Sequence, residues 1–165
     1  MVIILEGPDG SGKSTTAQRI AQHFDLPTFH MGPPPEGISA KDQYLSVLLN
    51  TRTQYLGAVF DRFHLGERVY GPLVRGVDTL GDDGQRLVER ALMQLGVTII
   101  RCLPPYDVCY NNWSLRLALE YVKRDDMHRA IYDRYAAIES ALPMLDFDYT
   151  SETTDSLIAR MGVAP

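Results

Sequence analysis

Eight residues near the start of the chain have the types and spacing needed to hold a polyphosphate. The stretch Gly7-Pro8-Asp9-Gly10-Ser11-Gly12-Lys13-Ser14 matches the pattern G-x-x-x-x-G-K-[ST]. Glycines let the backbone curl until successive N–H groups point at phosphate oxygens, and the positive end of a following helix adds attraction. Lys13 would reach the β- and γ-phosphates, and the Ser14 hydroxyl would ligate Mg²⁺. The stretch therefore predicts a P-loop that binds a nucleoside triphosphate with magnesium.

The segments on either side of this loop have the patterns that a P-loop requires. Residues 2–5 are an apolar run short enough for a buried strand, and residues 13–24 have the pattern of a helix. A strand, a glycine-rich loop and a helix in this order distinguish the motif from a chance match in a turn. The residues expected to contact the ATP phosphates are Gly7, Asp9, Gly10, Ser11, Gly12, Lys13, Ser14 and Thr15.

Apolar strands and helical patterns alternate along the rest of the chain. Further strands are predicted over 26–31, 54–60, 97–103 and 145–148, and helices over 39–52, 83–95, 106–124, 126–141 and 154–161, with a segment rich in glycine and charge up to about residue 84. Such alternation is typical of a parallel sheet covered by helices on both faces. We therefore predict an α/β protein with a three-layer αβα P-loop NTPase fold and a five-stranded parallel sheet, in a single kinase domain over 1–165.

Three chemically active stretches follow the first three predicted strands. They are the P-loop, the proline-rich run 32–37, and Asp61-Arg62. Because ligands of parallel α/β sheets bind at the carboxyl ends of the strands, these stretches should converge on one site. Val59-Phe60-Asp61 resembles the end of a Walker B strand. Asp61 is therefore a second candidate metal residue beside Ser14, or a residue that orients Arg62.

Composition excludes some classes of partner. The net charge of −5 and the pI of about 5.3 argue against nucleic acid as the main partner, because nucleic-acid-binding proteins usually carry a basic face. No apolar stretch approaches 18 residues, so a membrane span is not predicted. The chain starts on its first strand rather than on a signal peptide, and we expect a cytoplasmic protein.

The P-loop leaves three classes of protein to compare. A GTPase would need an Asn-Lys-x-Asp motif, which the sequence lacks, and no strand precedes the D-x-x-G match at residues 78–81. An ATP-driven motor would need a longer chain. The length and layout favour a small-molecule kinase.

Two stretches resemble thymidylate kinases. Residues 5–15, L-E-G-P-D-G-S-G-K-S-T, are similar to the P-loop of that family, F-E-G-x-D-G-x-G-K-S/T-T. Residues 61–71, D-R-F-H-L-G-E-R-V-Y-G, are similar to the family's D-R-Y-x-x-S-S-x-A-Y-Q-G. The resemblance covers most of the chain, more weakly after residue 103, and suggests the thymidylate-kinase-like proteins of bacteriophages. It implies ATP- and Mg²⁺-dependent phosphorylation of dTMP or another deoxynucleoside monophosphate to the diphosphate.

The resemblance also implies roles for individual residues. Asp9 would face the acceptor sugar and help to order Arg62 and Mg²⁺, and Arg62 would bind the acceptor's phosphate. Phe63 would flank the nucleotide, and Tyr70 would lie against the deoxyribose and disfavour a 2′-hydroxyl. Together with Asp61 and Glu67, these residues form the predicted substrate site.

The chain departs from the thymidylate kinase pattern where the base is recognised. The family's R-E-P-G-G-T is replaced by residues 30–36, H-M-G-P-P-P-E, and its base-contacting positions fall on Gly66, Glu67 and Gly71. The base is therefore left open. Glu67 would either accept a hydrogen bond from a base or be a solvated helix charge. We expect adenine of ATP near residues 149–153, from position alone.

Phosphoryl transfer also needs cations over the γ-phosphate, usually supplied by a closing lid. We predict a lid segment over roughly 105–126, with Arg116 as the first candidate and Lys123 and Arg124 next. Arg68 and Arg75 could instead serve the acceptor phosphate. The predicted catalytic residues are thus Lys13, Arg62, Asp9 and Arg116.

Two other functions stay open. A deoxynucleoside kinase, or a phage kinase acting on a modified base or an end of DNA, would need a carboxylate base, which Asp61 or Glu6 could supply. A non-enzymatic nucleotide-binding switch is the third interpretation, although the intact Lys13 and Ser14 argue against it. Apolar residues on the 39–52 and 83–95 helices would permit a homodimer.

Overall fold

The computed structural model describes residues 1–55 and 57–162. Within these residues, five strands alternate with seven α-helices and one π-helical segment. The strands are β1 Val2–Glu6, β2 Thr28–His30, β3 Ala58–Asp61, β4 Val97–Cys102 and β5 Met144–Phe147. The helices are α1 Lys13–Phe24, α2 Ala40–Gln54, α3 His64–Tyr70, the π-helical segment Gly71–Arg75, α4 Gly81–Gln94, α5 Tyr106–Ser114, α6 Asp125–Ala137 and α7 Thr154–Met161.

The five strands form one parallel sheet in the order β2-β3-β1-β4-β5. Strand β1 lies at the centre, with Leu5 in register with Asp61 of β3 on one side and with Ile100 of β4 on the other. The carboxyl ends of β1 and β3 therefore lie side by side. The predicted α/β class with a five-stranded parallel sheet is confirmed.

Alternating side chains of the central strands divide the hydrophobic core into two layers. Ile4 and Phe60 face the side covered by α2, α3, α4 and α6, whereas Ile3 and Val59 face the side covered by α1 and α7. All four side chains are fully buried. This two-sided burial explains why the strands have continuous apolar runs rather than alternating patterns.

The structure corrects several predicted boundaries. Helix α2 continues to Gln54 and Tyr55 is its C-cap, so the third strand begins only at Ala58; Leu56, which the prediction placed in that strand, lies outside the described residues. Helix α4 begins at Gly81 with Leu80 as its N-cap, two residues before the predicted start at residue 83.

The predicted lid helix is shorter than expected. The sequence predicts it over 106–124, but α5 ends at Ser114, residues 115–119 form turns, and residues 120–124 are irregular before α6 begins at Asp125. Leu115 and Leu119 in these turns are 84% and 86% exposed, so this stretch lacks the buried face that would stabilise a helix.

The sequence prediction missed helix α3, which lies in the glycine- and charge-rich segment. Its first N–H groups are capped from a distant part of the chain, because Glu6 Oε1 accepts hydrogen bonds from the N–H groups of Phe63 (2.9 Å) and Leu65 (3.1 Å). Satisfying the orphan donors at a helix start stabilises the helix. A cap supplied by a residue 57 positions away is invisible to local sequence patterns.

Candidate active site

The P-loop connects β1 to α1, as predicted, and has the conformation of a phosphate cradle. Gly10 and Gly12 have φ angles of +81° and +78°, in the left-handed region that favours glycine. A Cβ atom on Gly10 would collide with the carbonyl oxygen of Cys109, and one on Gly12 would lie 2.8 Å from the Tyr149 ring. The loop therefore needs glycine at both positions for its backbone angles and for its close packing.

Lys13 lies buried beneath the loop, with its ammonium group folded inward. Its Nζ donates a hydrogen bond to the Pro8 carbonyl (2.9 Å) and lies 3.8 Å from Asp9 Oδ1. Burial lowers the pKa of Lys13, as does the nearby Arg62, while the carboxylates of Asp9 and Asp61 act in the opposite direction. A small cavity of about 190 Å³ opens above Lys13 and Ser14, at the place where the motif predicts the phosphates.

Ser14 and Asp61 meet at the carboxyl end of the sheet. Ser14 Oγ donates to Asp61 Oδ2 at 2.5 Å, and His30 Nδ1 lies 3.3 Å from the same oxygen. The other oxygen, Asp61 Oδ1, is buried and has no hydrogen-bond partner among the described residues. Hydroxyl and carboxylate oxygens are the ligands that Mg²⁺ prefers, so the two residues fit their predicted role. Arg62 is paired with Asp9 rather than with Asp61.

Asp9, Arg62 and Tyr70 form a buried cluster beside the P-loop. Asp9 Oδ1 accepts a hydrogen bond from Arg62 Nη2, and Asp9 Oδ2 accepts one from the Tyr70 hydroxyl at 3.1 Å. The Arg62 guanidinium also lies over the Tyr70 ring, 4.5 Å from its centroid. Burial raises the pKa of Asp9, but Arg62 and Lys13 outweigh it and hold that pKa below its ordinary value. The cluster joins three of the residues that the resemblance assigned to the acceptor.

Arg62 has an unusual backbone conformation. Its φ angle of +70° lies in the left-handed region, which is uncommon for residues other than glycine. The strain is held by the strand end, where the Arg62 N–H donates to the Leu5 carbonyl at 2.9 Å. Such outliers cluster at functional sites because the surrounding structure must over-determine them.

A cavity of about 330 Å³ opens from this cluster along one side of α3. Its walls include the cluster residues Asp9, Arg62 and Tyr70. Glu67 and Arg75 also line it. Aromatic rings form a further wall, in which the ring centroids of Phe63 and Tyr44 are 4.8 Å apart. We call this space the acceptor cavity. It brings together the predicted substrate residues with the exception of Asp61, which does not line this cavity and is hydrogen-bonded to Ser14.

Glu67 is not a solvated helix charge. Its side chain is 2% exposed, and its carboxylate accepts hydrogen bonds from Arg75 Nη2 and from Thr79 Oγ1 (2.7 Å). Arg68, which was considered for the acceptor phosphate, is instead paired with Asp78 and Asp82 and does not line the acceptor cavity.

A cleft of about 480 Å³ lies on the other side of the P-loop. It is lined by Gly12, Thr15, Asn112, Arg116 and Tyr149, so the predicted adenine position around 149–153 falls beside this cleft. The Tyr149 ring packs on Gly12, and its hydroxyl accepts a hydrogen bond from Asn112 Nδ2 at 2.6 Å. We call this space the donor cleft.

Arg116 lines both the donor cleft and the phosphate cavity above Lys13. Its side chain is 61% exposed and lies 3.4 Å from Glu120. The other lid candidates are engaged elsewhere: Lys123 donates to the carbonyls of residues 117 and 118, and Arg124 is paired with Asp126. The geometry therefore favours Arg116 among the three cations.

Several residues of the site were missed by sequence reasoning. Asn112 Nδ2 also hydrogen-bonds the Gly10 carbonyl (3.0 Å), and His128 Nε2 lies 3.0 Å from the Asp9 carbonyl oxygen. These contacts span 102 and 119 residues, so no local signal could have revealed them. Glu6 was considered as a general base, but it is buried, caps α3 and contacts the Tyr135 hydroxyl (3.3 Å).

Burial determines the ionisation of Glu6. It raises the pKa of the carboxyl, although His64 and the N–H groups of Phe63 and Gly66 act against it. The carboxyl does not line the acceptor cavity, the donor cleft or the phosphate cavity. Glu6 is therefore part of the scaffold of the site.

Solved structures of other proteins share this fold. The YorR protein from Bacillus subtilis, in complex with phosphorylated GDP, matches with a TM-score of 0.76 at 16% identity, covering 98% of this chain and 93% of that chain. Deoxyadenosine kinase from M. mycoides, with the products dCMP and a flexible dCDP, matches with a TM-score of 0.60 at 15% identity, covering 98% and 97%. The same kinase with dATP gives 0.58 at 13% identity, covering 98% of both chains.

No protein-family model matches the sequence, and no curated protein matches it. The chain shares its fold with these nucleotide-binding proteins over nearly its whole length. Among residues 1–55 and 57–162, no helix has the length and apolar character needed to cross a membrane.

Proposed function

We propose that the chain is a kinase that transfers the γ-phosphoryl group of ATP to a deoxynucleoside monophosphate, dTMP or another, and releases the diphosphate and ADP. The observation that carries the proposal is the sharing of residues between three cavities. Asp9 and Arg62 line both the acceptor cavity and the phosphate cavity, whereas Gly12, Thr15 and Arg116 line both the phosphate cavity and the donor cleft. A donor and an acceptor bound in these spaces would meet above Lys13.

In this proposal, catalysis is positioning and charge neutralisation. A bond forms between an acceptor phosphate oxygen and the γ-phosphorus, and the bond from that phosphorus to the β–γ bridging oxygen breaks. Lys13 and Arg116 stabilise the charge on the transferred group, and Arg62 holds the acceptor phosphate. Ser14 and Asp61 would hold Mg²⁺, which would supply charge neutralisation during the transfer.

The state of the carboxylates supports a phosphate acceptor over a hydroxyl acceptor. A hydroxyl must lose its proton to a base, whereas a monophosphate oxygen is already nucleophilic. Among the described residues at the site, Asp9 is held by Arg62 and Tyr70, Asp61 by Ser14, and Glu6 by backbone N–H groups. Asp9 and Glu6 are thus engaged by their partners, whereas Asp61 keeps one oxygen without a partner among the described residues, which in this proposal serves Mg²⁺ rather than a base.

Two observations support an acceptor that contains deoxyribose. The Tyr70 hydroxyl is fixed on Asp9 in the wall of the acceptor cavity, where it would crowd a 2′-hydroxyl. The fold is shared with a deoxyadenosine kinase. A thymidylate-kinase-like relationship and a bacteriophage origin belong to the same proposal, and they rest on the two sequence motifs.

The similarity to a deoxyadenosine kinase keeps phosphorylation of a deoxynucleoside as the second candidate. An acceptor screen separates the two. Purified protein is incubated with ATP and Mg²⁺ and with each ribo- and deoxynucleoside monophosphate, each nucleoside and a short oligonucleotide, and the products are separated by chromatography. We expect a diphosphate from at least one deoxynucleoside monophosphate. Transfer only to nucleosides or to the oligonucleotide would show that the acceptor is not a monophosphate. Absence of transfer to all of these acceptors would contradict kinase activity.

A further inference from the structure

The acceptor cavity contains an ion pair that the mechanism above does not use. Arg75, at the end of the π-helical segment, reaches back to Glu67 of α3, and Thr79 holds the same carboxylate. Glu67 is 2% exposed, whereas Arg75 is 24% exposed and lines the cavity. The carboxylate is thus the buried partner, and the guanidinium is the group presented to a ligand.

The local backbone is adapted to this pair. A Cβ atom on Gly71 would lie 2.7 Å from the Val77 carbonyl oxygen, 3.0 Å from Glu67 Oε1 and 3.4 Å from Arg75 Nη2, so a side chain at this position would clash with the backbone and crowd both charges. Gly71 begins the π-helical segment, and π-helical turns occur frequently at functional sites. A buried ion pair contributes little net stability, because desolvation offsets its attraction. Its place in a ligand cavity therefore favours a role in recognition.

The position of the pair corresponds to the base of the acceptor. With the acceptor phosphate at Arg62 and the sugar beside Asp9 and Tyr70, the rest of the nucleotide must extend along α3 towards Arg75. The aromatic wall of Phe63 and Tyr44 lines the same cavity and would lie along a planar ring. Arg75 is the cation that this part of the cavity offers to the edge of a base.

We propose that Arg75 determines base specificity and that the base it recognises is guanine, an inference that rests on the proposed function. A guanidinium is a rigid fork of donors, and one of its nitrogens, Nη2, already serves Glu67. The remaining donors match two adjacent acceptors, and arginine bound to O6 and N7 of guanine is the commonest base-specific contact of this kind. On the corresponding edge, adenine presents an amino group in place of O6, cytosine presents an amino group, and thymine presents a single acceptor, O4, beside its methyl group.

Glu67 acts here as a positioning residue. It fixes the plane of the guanidinium before a ligand arrives, which reduces the entropy lost on binding. Glu67→Gln should therefore raise KM for dGMP several-fold, about three- to tenfold, and leave kcat within about twofold. A general loss of folded protein would lower kcat and activity towards every acceptor alike.

The test uses base analogues with the whole protein. Binding of dGMP, dIMP, 7-deaza-dGMP, dAMP, dCMP and dTMP is measured by calorimetry without ATP, and kcat/KM is measured with ATP and Mg²⁺. We expect dGMP to be preferred about tenfold or more, dIMP to be accepted because it retains O6 and N7, and 7-deaza-dGMP to lose about tenfold because it lacks N7.

A charge-conserving variant tests whether the paired hydrogen bonds from the Arg75 guanidinium, rather than its charge, recognise the base. Arg75→Lys keeps a cation beside Glu67 but cannot make two parallel hydrogen bonds, so dGMP should bind about tenfold more weakly and discrimination against 7-deaza-dGMP should disappear. Arg86→Lys is the matched control, because Arg86 is an exposed helix arginine paired with Asp83 outside the acceptor cavity. It should change none of these values, and both variants should melt within a few degrees of the parent protein.

The outcomes separate this inference from the proposed function. Preference for another monophosphate, or equal use of dGMP and 7-deaza-dGMP, would overturn the assignment of guanine and leave a monophosphate kinase standing. Binding of dGMP that depends on N7 and on Arg75, without turnover of any monophosphate, would support the base site and contradict the proposed reaction. Absence of binding to every monophosphate would overturn both.

Discussion

Ser14, the second residue of α1, donates a 2.5 Å hydrogen bond to Asp61, the last residue of β3. The two residues are 47 positions apart and meet because β1 and β3 are parallel neighbours whose carboxyl ends lie together. One oxygen of Asp61 has no partner among the described residues. The pair is the part of the site best suited to a divalent cation that accompanies the phosphates.

Replacing Asp61 with asparagine should impair the use of Mg²⁺. Asp61→Asn keeps the size of the side chain but removes its charge, so kcat should fall about 100-fold and the Mg²⁺ concentration for half-maximal activity should rise. Kinetics at a series of Mg²⁺ concentrations measure both effects. Asp107→Asn, at an exposed aspartate of α5, is the matched control. An unchanged Mg²⁺ dependence in Asp61→Asn would remove this residue from the metal site.

Lys13→Ala should abolish most activity and preserve the fold. The ammonium group is the cation beneath the predicted β- and γ-phosphates, and loss of one such group costs about 100- to 1,000-fold in kcat. Steady-state kinetics and thermal melting are measured together, with Lys41→Ala at a half-exposed lysine of α2 as control. A large fall in melting temperature together with the loss of activity would contradict a catalytic role for Lys13 that is separate from folding.

Tyr70→Phe should weaken discrimination between ribose and deoxyribose. The variant removes the hydroxyl that is fixed on Asp9 and leaves space in the cavity wall. The ratio of kcat/KM for a deoxynucleoside monophosphate to that for its ribo counterpart should fall about tenfold. Tyr55→Phe, outside the cavity, should leave the ratio unchanged. A ratio that stays constant in both variants would mean that another group excludes the 2′-hydroxyl.

Arg116→Ala should lower kcat more than it changes KM. Arg116 lines the phosphate cavity from an exposed turn, so it can approach the γ-phosphate in the transition state without contributing to folding. We expect a loss of about 100-fold in kcat and little change in melting temperature. Arg86→Ala is the control. A variant of Arg116 with full kcat would leave Lys13 and Arg62 as the protein's cations in the reaction.

Stability in acid should depend on Glu89. Burial raises the pKa of its carboxyl, but hydrogen bonds from His64, Gln85, Ser140 and the Ala141 N–H outweigh burial and lower that pKa from 4.5 to about 2. A lowered pKa in the folded state stabilises the protein above pH 4.5, and this contribution is lost as the pH falls towards 2.

Melting curves between pH 6 and pH 2.5 test this dependence. Relative to the parent protein, Glu89→Gln should melt about 5 °C or more lower near pH 6, and the difference should shrink as the pH falls. Glu139→Gln, at an exposed glutamate nearby, should follow the parent protein at each pH. A difference between Glu89→Gln and the parent that is constant with pH would show that the carboxylate charge contributes nothing.

The strands were predictable because a buried parallel strand must be apolar on both faces, as β1 is from Val2 to Leu5, and because glycine and proline mark where strands end. Arg62 was predictable as a site residue because it directly follows β3, and parallel strands end at one edge of the sheet. Asp9 was predictable from the P-loop that follows β1 and from the resemblance to thymidylate kinases. The position at the sheet edge left Asp61 as a possible partner of Arg62, whereas the resemblance to thymidylate kinases implied Asp9, and the structure pairs Arg62 with Asp9. The left-handed backbone conformation at Arg62 is not required by the local sequence.

The parts that sequence reasoning missed depend on contacts between distant segments. Helix α3 is capped by Glu6, and Asn112 and His128 hold the P-loop backbone from α5 and α6. The role of Glu67 was left open between a base contact and a solvated charge, because its partner Arg75 lies eight positions away on a π-helical segment that no hydrophobic period predicts. In each case, the tertiary fold determines which polar group becomes the hydrogen-bond partner.

The close packing of Gly10 against the backbone of Cys109, together with the hydrogen bond from Asn112 to the Gly10 carbonyl, joins α5 to the P-loop without space between them. A movement of α5 would have to carry the phosphate cradle with it. Any closing motion that brings Arg116 over the phosphates must therefore pivot after Ser114, where α5 ends. The moving part is then limited to the segment between α5 and α6, which is about ten residues long. Helix α5 itself stays fixed to the P-loop during that motion.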